Sequence, residues 1–292
     1  MLPNGAVAIT GQDDRRMGWD LIAVGDVLLD ASLPELIPGR RIHGRIELRP
    51  GGSATNVALA AAELRARAAV VGRVGTDPAG RLVVDALVAA GVEPLLASDE
   101  RVGTGTFAVA GSAIAADPGA SVRLVPEDIP PVLEAAAVIV SGYALLQAGS
   151  ERAARAALER ARSQWLAVDA ASAGLVAAYG VERFFEVTSA ADVLLANAEE
   201  ARALTALAPD DAALALAGSY RIACVKLGRD GAVAASAGRV VRARPEPLEV
   251  AGATGAGDAF AAGFLLGLVR NAGLEEALRA GCASAAAALR RS

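Results

Sequence analysis

Two cysteines, one histidine and 3% aromatic residues leave this 292-residue chain few metal-ligating or stacking side chains. Cys224 and Cys282 stand far apart in the apolar settings Ala-Cys-Val and Gly-Cys-Ala. That spacing suggests neither a metal site nor a disulfide framework, and both are read as buried free thiols. His43 lies in a stretch punctuated by Pro34, Pro38, Gly39 and Gly44 and is read as a solvated loop residue. Positive charge is scarce: 28 Lys and Arg against 33 Asp and Glu give a net charge of -5, with no basic run beyond short pairs. The chain therefore carries no footprint for nucleic acid or an anionic membrane. No apolar run is long and pure enough to span a bilayer, and the first 19 residues lack the apolar core of a secretory signal. The expectation is a cytoplasmic protein in which residues 1–19 form a flexible tail.

What remains is 54% hydrophobic and 21% charged, a composition for an ordered, Ala-rich globule of one large or two smaller α/β units. Leu21–Gly25 is a short β-branched run ended by glycine, as in a buried parallel strand. Ala68–Gly72, Ala137–Val140, Leu166–Asp169, Val193–Ala196 and Ile222–Lys226 read as further strands, with helices expected over 57–64, to about Ala90, 150–163 and 181–187. This βα alternation argues for a mostly parallel sheet covered on both faces. Between these elements, Arg45–Leu48, Thr104–Ala110 and Ser121–Leu124 alternate like half-exposed strands, the last two joined by an Asp117-Pro-Gly turn.

The chemistry is placed in Val250–Phe264. Gly255, Ala256 and Gly257 form a loop almost without side chains, running into Asp258 and the apolar helical run Ala259–Leu268. Free amides and the positive end of a helix dipole then meet beside the glycines, a site that favours an oxyanion. Asp258 reads either as a first-turn acid of its helix or as a general base beside that cradle. No Lys follows the glycines, as a Walker loop requires, and Phe260 stands where a dinucleotide fingerprint needs a third glycine.

Thr254-Gly-Ala-Gly-Asp258-Ala-Phe260 resembles the C-terminal signature of the ribokinase-like (PfkB) carbohydrate kinases. Further motifs follow the family's order: Asp30 five residues after Gly25, Gly51-Gly52-x-x-x-Asn56, Gly72-x-Val-Gly-x-Asp77-x-x-Gly80, Asn197-x-x-Glu200 and Lys226-x-Gly228-x-x-Gly231. The resemblance implies a three-layer αβα fold with a mostly parallel central sheet, spanning residues 20–292. A small β-sheet lid would be built from about 31–50 and 102–125. It also implies transfer of the γ-phosphoryl group of ATP to a hydroxymethyl oxygen of a sugar or sugar-like substrate, with Asp258 as base and Gly255, Ala256 and Gly257 as anion hole. Asp30, Gly51, Gly52 and Asn56 would hold the substrate. Asn197, Lys226, Gly228, Gly231 and Thr254 would hold ATP, and Glu200 would hold Mg²⁺ through water. Many family members carry Thr where this chain has Lys226, which could instead merely cover its turn with its stem.

The usual signature opens Asp-Thr-Thr, whereas this chain has Gly252 and Ala253. The missing carboxylate puts the family's K⁺ site in doubt. A nucleoside kinase of the same superfamily is the alternative, as is a sugar or nucleotide sensor without turnover. An exposed lid strand could also pair two copies into a homodimer.

Overall fold

The computed structural model describes residues 18–37, 39–111, 113–245 and 255–291. β1 (Trp19–Val24), β2 (Leu28–Leu33) and β3 (Glu47–Gly51) precede α1 (Ser53–Glu63), and β4 (Ala68–Gly75), α2 (Pro78–Ala89) and β5 (Val92–Asp99) follow. After β6 (Thr104–Ala110) and β7 (Ala113–Gly119), the chain runs through β8 (Leu133–Ser141), α3 (Gly142–Leu145), α4 (Glu151–Arg160) and β9 (Ala161–Asp169). Next come α5 (Ala173–Tyr179), α6 (Val181–Thr188), β10 (Val193–Asn197), α7 (Ala198–Thr205), α8 (Pro209–Leu216) and β11 (Ile222–Lys226). β12 (Ala232–Ser236), β13 (Arg239–Ala243), α9 (Ala256–Val269) and α10 (Leu274–Arg291) complete the order.

Nine strands form one sheet in the order β13-β12-β11-β10-β9-β8-β1-β4-β5, antiparallel only where β12 meets β11 and β13. Strand side chains alternate between faces, and β1 shows the result. Leu21 and Ala23 join a core with Val57, Phe260, Phe264 and Leu278 from α1, α9 and α10. Ile22 and Val24 join another with Leu158, Phe184, Ala201 and Leu216 from α4, α6, α7 and α8. The outcome is the expected three-layer αβα arrangement. From β1 the strand order runs outward through β4 and β5, while from β8 it runs the other way through β9, β10 and β11. β1 and β8 therefore flank the point where a ligand crevice opens beyond the carboxyl ends of the strands.

α9 is buried from Ala259 to Leu268, so it behaves as a core helix rather than an amphipathic one. Two of its glycines let α10 close in: a Cβ on Gly263 would lie 2.7 Å from the Ala280 carbonyl oxygen, and one on Gly267 would lie 2.7 Å from Ala277 Cα. This packing fixes the direction in which the N-terminus of α9 points.

A second sheet, β3-β2-β6-β7, lies apart from the large one. Here local pattern misled in two places. The strand expected at Arg45–Leu48 begins at Glu47 and runs to Gly51, because it pairs with β2 in the register Leu28↔Gly51 to Ser32↔Glu47. The strand expected at Ser121–Leu124 lies earlier, at Ala113–Gly119, and runs through the supposed Asp117-Pro-Gly turn. Edge position makes Pro118 tolerable there, since a missing N–H costs no ladder bond on an open edge. Residues 120–123 instead form a 3₁₀ turn, in which Ser121 Oγ accepts from the Val27 amide at 3.1 Å and donates to the Val27 carbonyl at 2.9 Å.

Other boundaries moved less. α4 stops at Arg160 and β9 starts at Ala161, five residues before the expected Leu166. β1 begins at Trp19, inside the stretch read as a tail, and residues 1–17 of that stretch lie outside the described residues. β5, β13, α3, α5 and α8 gave no signal strong enough to be anticipated. Both cysteines are buried and free, as expected. Among the described residues, no helix is long and apolar enough to cross a membrane.

Candidate active site

α1 and α9 both begin at the same crevice, so their amide-bearing N-termini converge. Gly52 occupies the N-cap of α1 with φ 91, and any Cβ there would meet the Asp26 carbonyl oxygen at 2.5 Å. Glycine is required by both conformation and space. Gly255 takes the N-cap of α9 with φ 80, leaving that helix without a side-chain cap. Asp258, in the first turn, turns instead toward α1: its Oδ1 accepts from Ser53 Oγ at 2.8 Å and its Oδ2 from Asn56 Nδ2 at 3.0 Å. Ser53 is the first residue of α1 and gives its hydroxyl to this carboxylate. Burial pushes the Asp258 carboxyl up to about 7, against the Asn56 hydrogen bond that lowers it and with the Asp169 charge that raises it further.

A cavity of about 780 Å³ opens around Asp258. On the β1 and β8 side, Asp26 accepts from the Ser53 amide at 2.7 Å and from Ser141 Oγ at 3.0 Å, which ties the ends of β1 and β8 to α1. Desolvation raises its pKa despite these bonds. Asp30 reaches the cavity from β2. It is buried, yet its Oδ1 has no hydrogen-bond partner. Burial pushes its carboxyl up to about 6, with Arg49 pulling down and Asp26 pushing up. Gly51 makes room for this carboxylate, since a Cβ there would lie 1.9 Å from Asp30 Oδ1. That oxygen is sealed against the glycine, so Asp30 lines the cavity through the rest of its side chain.

On the β9, β10 and β11 side, Lys226 Nζ pairs with Asp169 Oδ2 at 2.6 Å. Burial works against the ammonium, but Asp169 and Glu200 outweigh it and its pKa is raised. Lys226 Nζ also lies 3.6 Å from the place a Gly257 Cβ would take, so the cation sits against the glycine loop. Asn197 and Glu200 form a capping box on α7: the Glu200 amide donates to Asn197 Oδ1 at 2.9 Å, and the Asn197 amide donates to Glu200 Oε2 at 2.7 Å. Desolvation, then the nearby Asp169 charge, raises the pKa of Glu200. A second cavity of about 640 Å³ shares Asn197, Lys226 and Gly228 with the first and adds Arg242 and Arg244.

Of the residues singled out in the sequence, Asp258, Gly255, Ala256, Gly257, Asp30, Gly52, Asn56, Asn197, Glu200, Lys226 and Gly228 all line the main cavity. Gly51 stands behind Asp30, and Gly231 closes its turn with φ 88 against the Ala243 carbonyl; neither is among the lining residues. Thr254, with Gly252 and Ala253, lies outside the described residues. His43 is exposed and does not line the cavity. Sequence reasoning missed the Ser53 bond to Asp258 and the lining roles of Asp117 and Gln147. No local signal marks them, because each depends on what a distant element brings near.

Oxygen donors at Glu200, Asn197 and Asp169 suit a hard divalent cation that keeps its waters. Among the described residues, no group of three or more His, Cys, Asp or Glu side chains forms a protein-only metal cage.

The chain is 31% identical over 303 residues to 2-dehydro-3-deoxygalactonokinase of Haloferax volcanii, covering 92% of this chain and 91% of that protein. It is 26% identical over 311 residues to 5-dehydro-2-deoxygluconokinase of Geobacillus thermodenitrificans, covering 93% and 88%. Among solved structures, adenosine kinase from Sinorhizobium meliloti superposes with a TM-score of 0.84 at 26% identity, covering 93% of this chain and 94% of the other. Residues 20–292 match the pfkB family carbohydrate kinases. The chain belongs to that family and is a phosphotransferase acting on a sugar or nucleoside hydroxyl, a membership that implies the use of ATP with a divalent metal.

Proposed function

We propose that the protein transfers the γ-phosphoryl group of ATP to a hydroxymethyl oxygen, with Asp258 as general base. The observation that carries this reading is the placement of Asp258. One carboxylate with a pKa raised to about 7 stands where two helix N-termini converge, between the crevice beyond β1 and β8 and the Gly255–Gly257 amides.

The hydroxyl proton passes to Asp258 as the acceptor oxygen bonds to the γ-phosphorus, and the bond to the bridging oxygen breaks to release ADP. Ser53 and Asn56 hold both carboxylate oxygens in place, so the base does not rotate away from the acceptor. The amides at the start of α9, with Lys226 beside them, face the charge that develops on the transferring oxygens. The smaller cavity with Arg242 and Arg244 offers room for the rest of the nucleotide. A bound Mg²⁺ would neutralise phosphate charge, and Glu200, Asn197 and Asp169 are the residues that would hold its water shell. The second sheet supplies Asp30, Phe107 and Asp117 to the same cavity and acts as the lid that excludes water from it.

Asp258→Asn is expected to fold normally and to lose about 10²–10⁴ in kcat, the scale for removing a general base. A coupled ADP-release assay, with circular dichroism as the folding control, checks it. Unchanged turnover would remove Asp258 from this role.

A further inference from the structure

We infer that the phosphoryl acceptor is uncharged, a polyhydroxylated sugar carrying an apolar or aromatic substituent such as a nucleoside, and that the site rejects sugar acids and sugar phosphates. This rests on the kinase reading and narrows its substrate class.

The acceptor end of the cavity, between the carboxyl ends of β1 and β8 and the second sheet, is walled by three carboxylates, Asp26, Asp30 and Asp117. Among the described residues no Arg, Lys or His lines this end; Lys226, the one cation of the described lining, lies at the other end in its pair with Asp169. Nearby cations lie outside the lining or are already engaged. Arg49 faces Asp30 across the β2–β3 register but is exposed and outside the lining. Arg123 donates its Nε to Asp99 at 2.8 Å. An anionic acceptor would enter against three carboxylates with no cation in the lining to meet it, while a hydroxyl can donate to such a wall. The remaining wall is apolar, with Leu28, Phe107, Ala116, Pro118 and Val122, and it offers a face to a flat or greasy substituent and nothing to a charged one.

The test is a Mg·ATP assay on one enzyme preparation with ribose, fructose and adenosine against 2-dehydro-3-deoxygluconate and fructose 6-phosphate. The expected result is kcat/KM for the best neutral acceptor at least about 10²-fold above either anion, with adenosine ahead of the free sugars. Leu28→Arg, which sets a guanidinium into the acceptor wall, is expected to narrow the neutral-to-anion ratio by about tenfold or more. The wild-type panel stands by itself if that variant does not fold. An anion as the best acceptor would overturn the inference and leave the kinase reading standing. Turnover of none of the five would overturn the inference and leave the family's phosphotransferase activity to be sought on other acceptors.

Discussion

The two ends of the cavity differ in what they leave unpaired. At the β9–β11 end every polar group already has a partner: Lys226 holds Asp169, and Asn197 and Glu200 hold each other. At the β1–β8 end a buried oxygen of Asp30 has none. The first end is a preorganised frame of charge, suited to a ligand that arrives with its own charges and cation. The second leaves a carboxyl short of partners and, on the kinase reading proposed above, is the end that takes the acceptor hydroxyls. Asp258 stands between them, and its carboxylate is held by α1 rather than by its own helix.

Variants at the two ends should therefore separate cleanly. Lys226→Met has the largest expected effect on stability, because it strands Asp169 as a buried charge. Breaking such a pair costs about 3–5 kcal/mol, so the melting temperature should fall and KM for Mg·ATP should rise while KM for the acceptor holds. A parallel rise in both KM values would deny the separation. Asp30→Asn should do the reverse, raising acceptor KM by about 10–10²-fold, the scale of one hydrogen bond to a charged group, with ATP binding unchanged by titration calorimetry. Ser53→Ala should be mildest. Losing one donor to the ionised base lowers kcat by about three- to tenfold and moves the acid limb of the pH profile upward, since that bond favours the carboxylate form. A kcat loss without a shifted limb would make Ser53 merely structural.

Much of this was legible in the chain. Parallel strands such as Val193–Asn197 read as unbroken apolar runs because both of their faces are covered. The glycine loop before Asp258 and the Asn197-x-x-Glu200 box announced helix starts through local chemistry. The second sheet was legible only in outline. Its strand limits are set by partners far along the chain, as when Ser121 bonds Val27 across 94 positions and leaves 113–119 to form the edge strand. The grip on Asp258 is equally hidden, since Ser53 lies 205 positions away and looks like an ordinary cap until α1 and α9 meet. Spacing finds residues that act through their own backbone neighbourhood; it misses those that act through the fold.

The claim that Asp258 takes the proton is tested most directly by the pH dependence of kcat/KM for the acceptor, which reports groups of the enzyme before that acceptor binds. The carboxyl is raised to about 7 and must be ionised to act, so kcat/KM in the wild type should climb about tenfold per pH unit below that value and level off above it. Asp258→Asn should show only a low, flat remainder. The same rising limb in Asp258→Asn, or a wild-type profile flat from about pH 5 to about pH 9, would contradict the account.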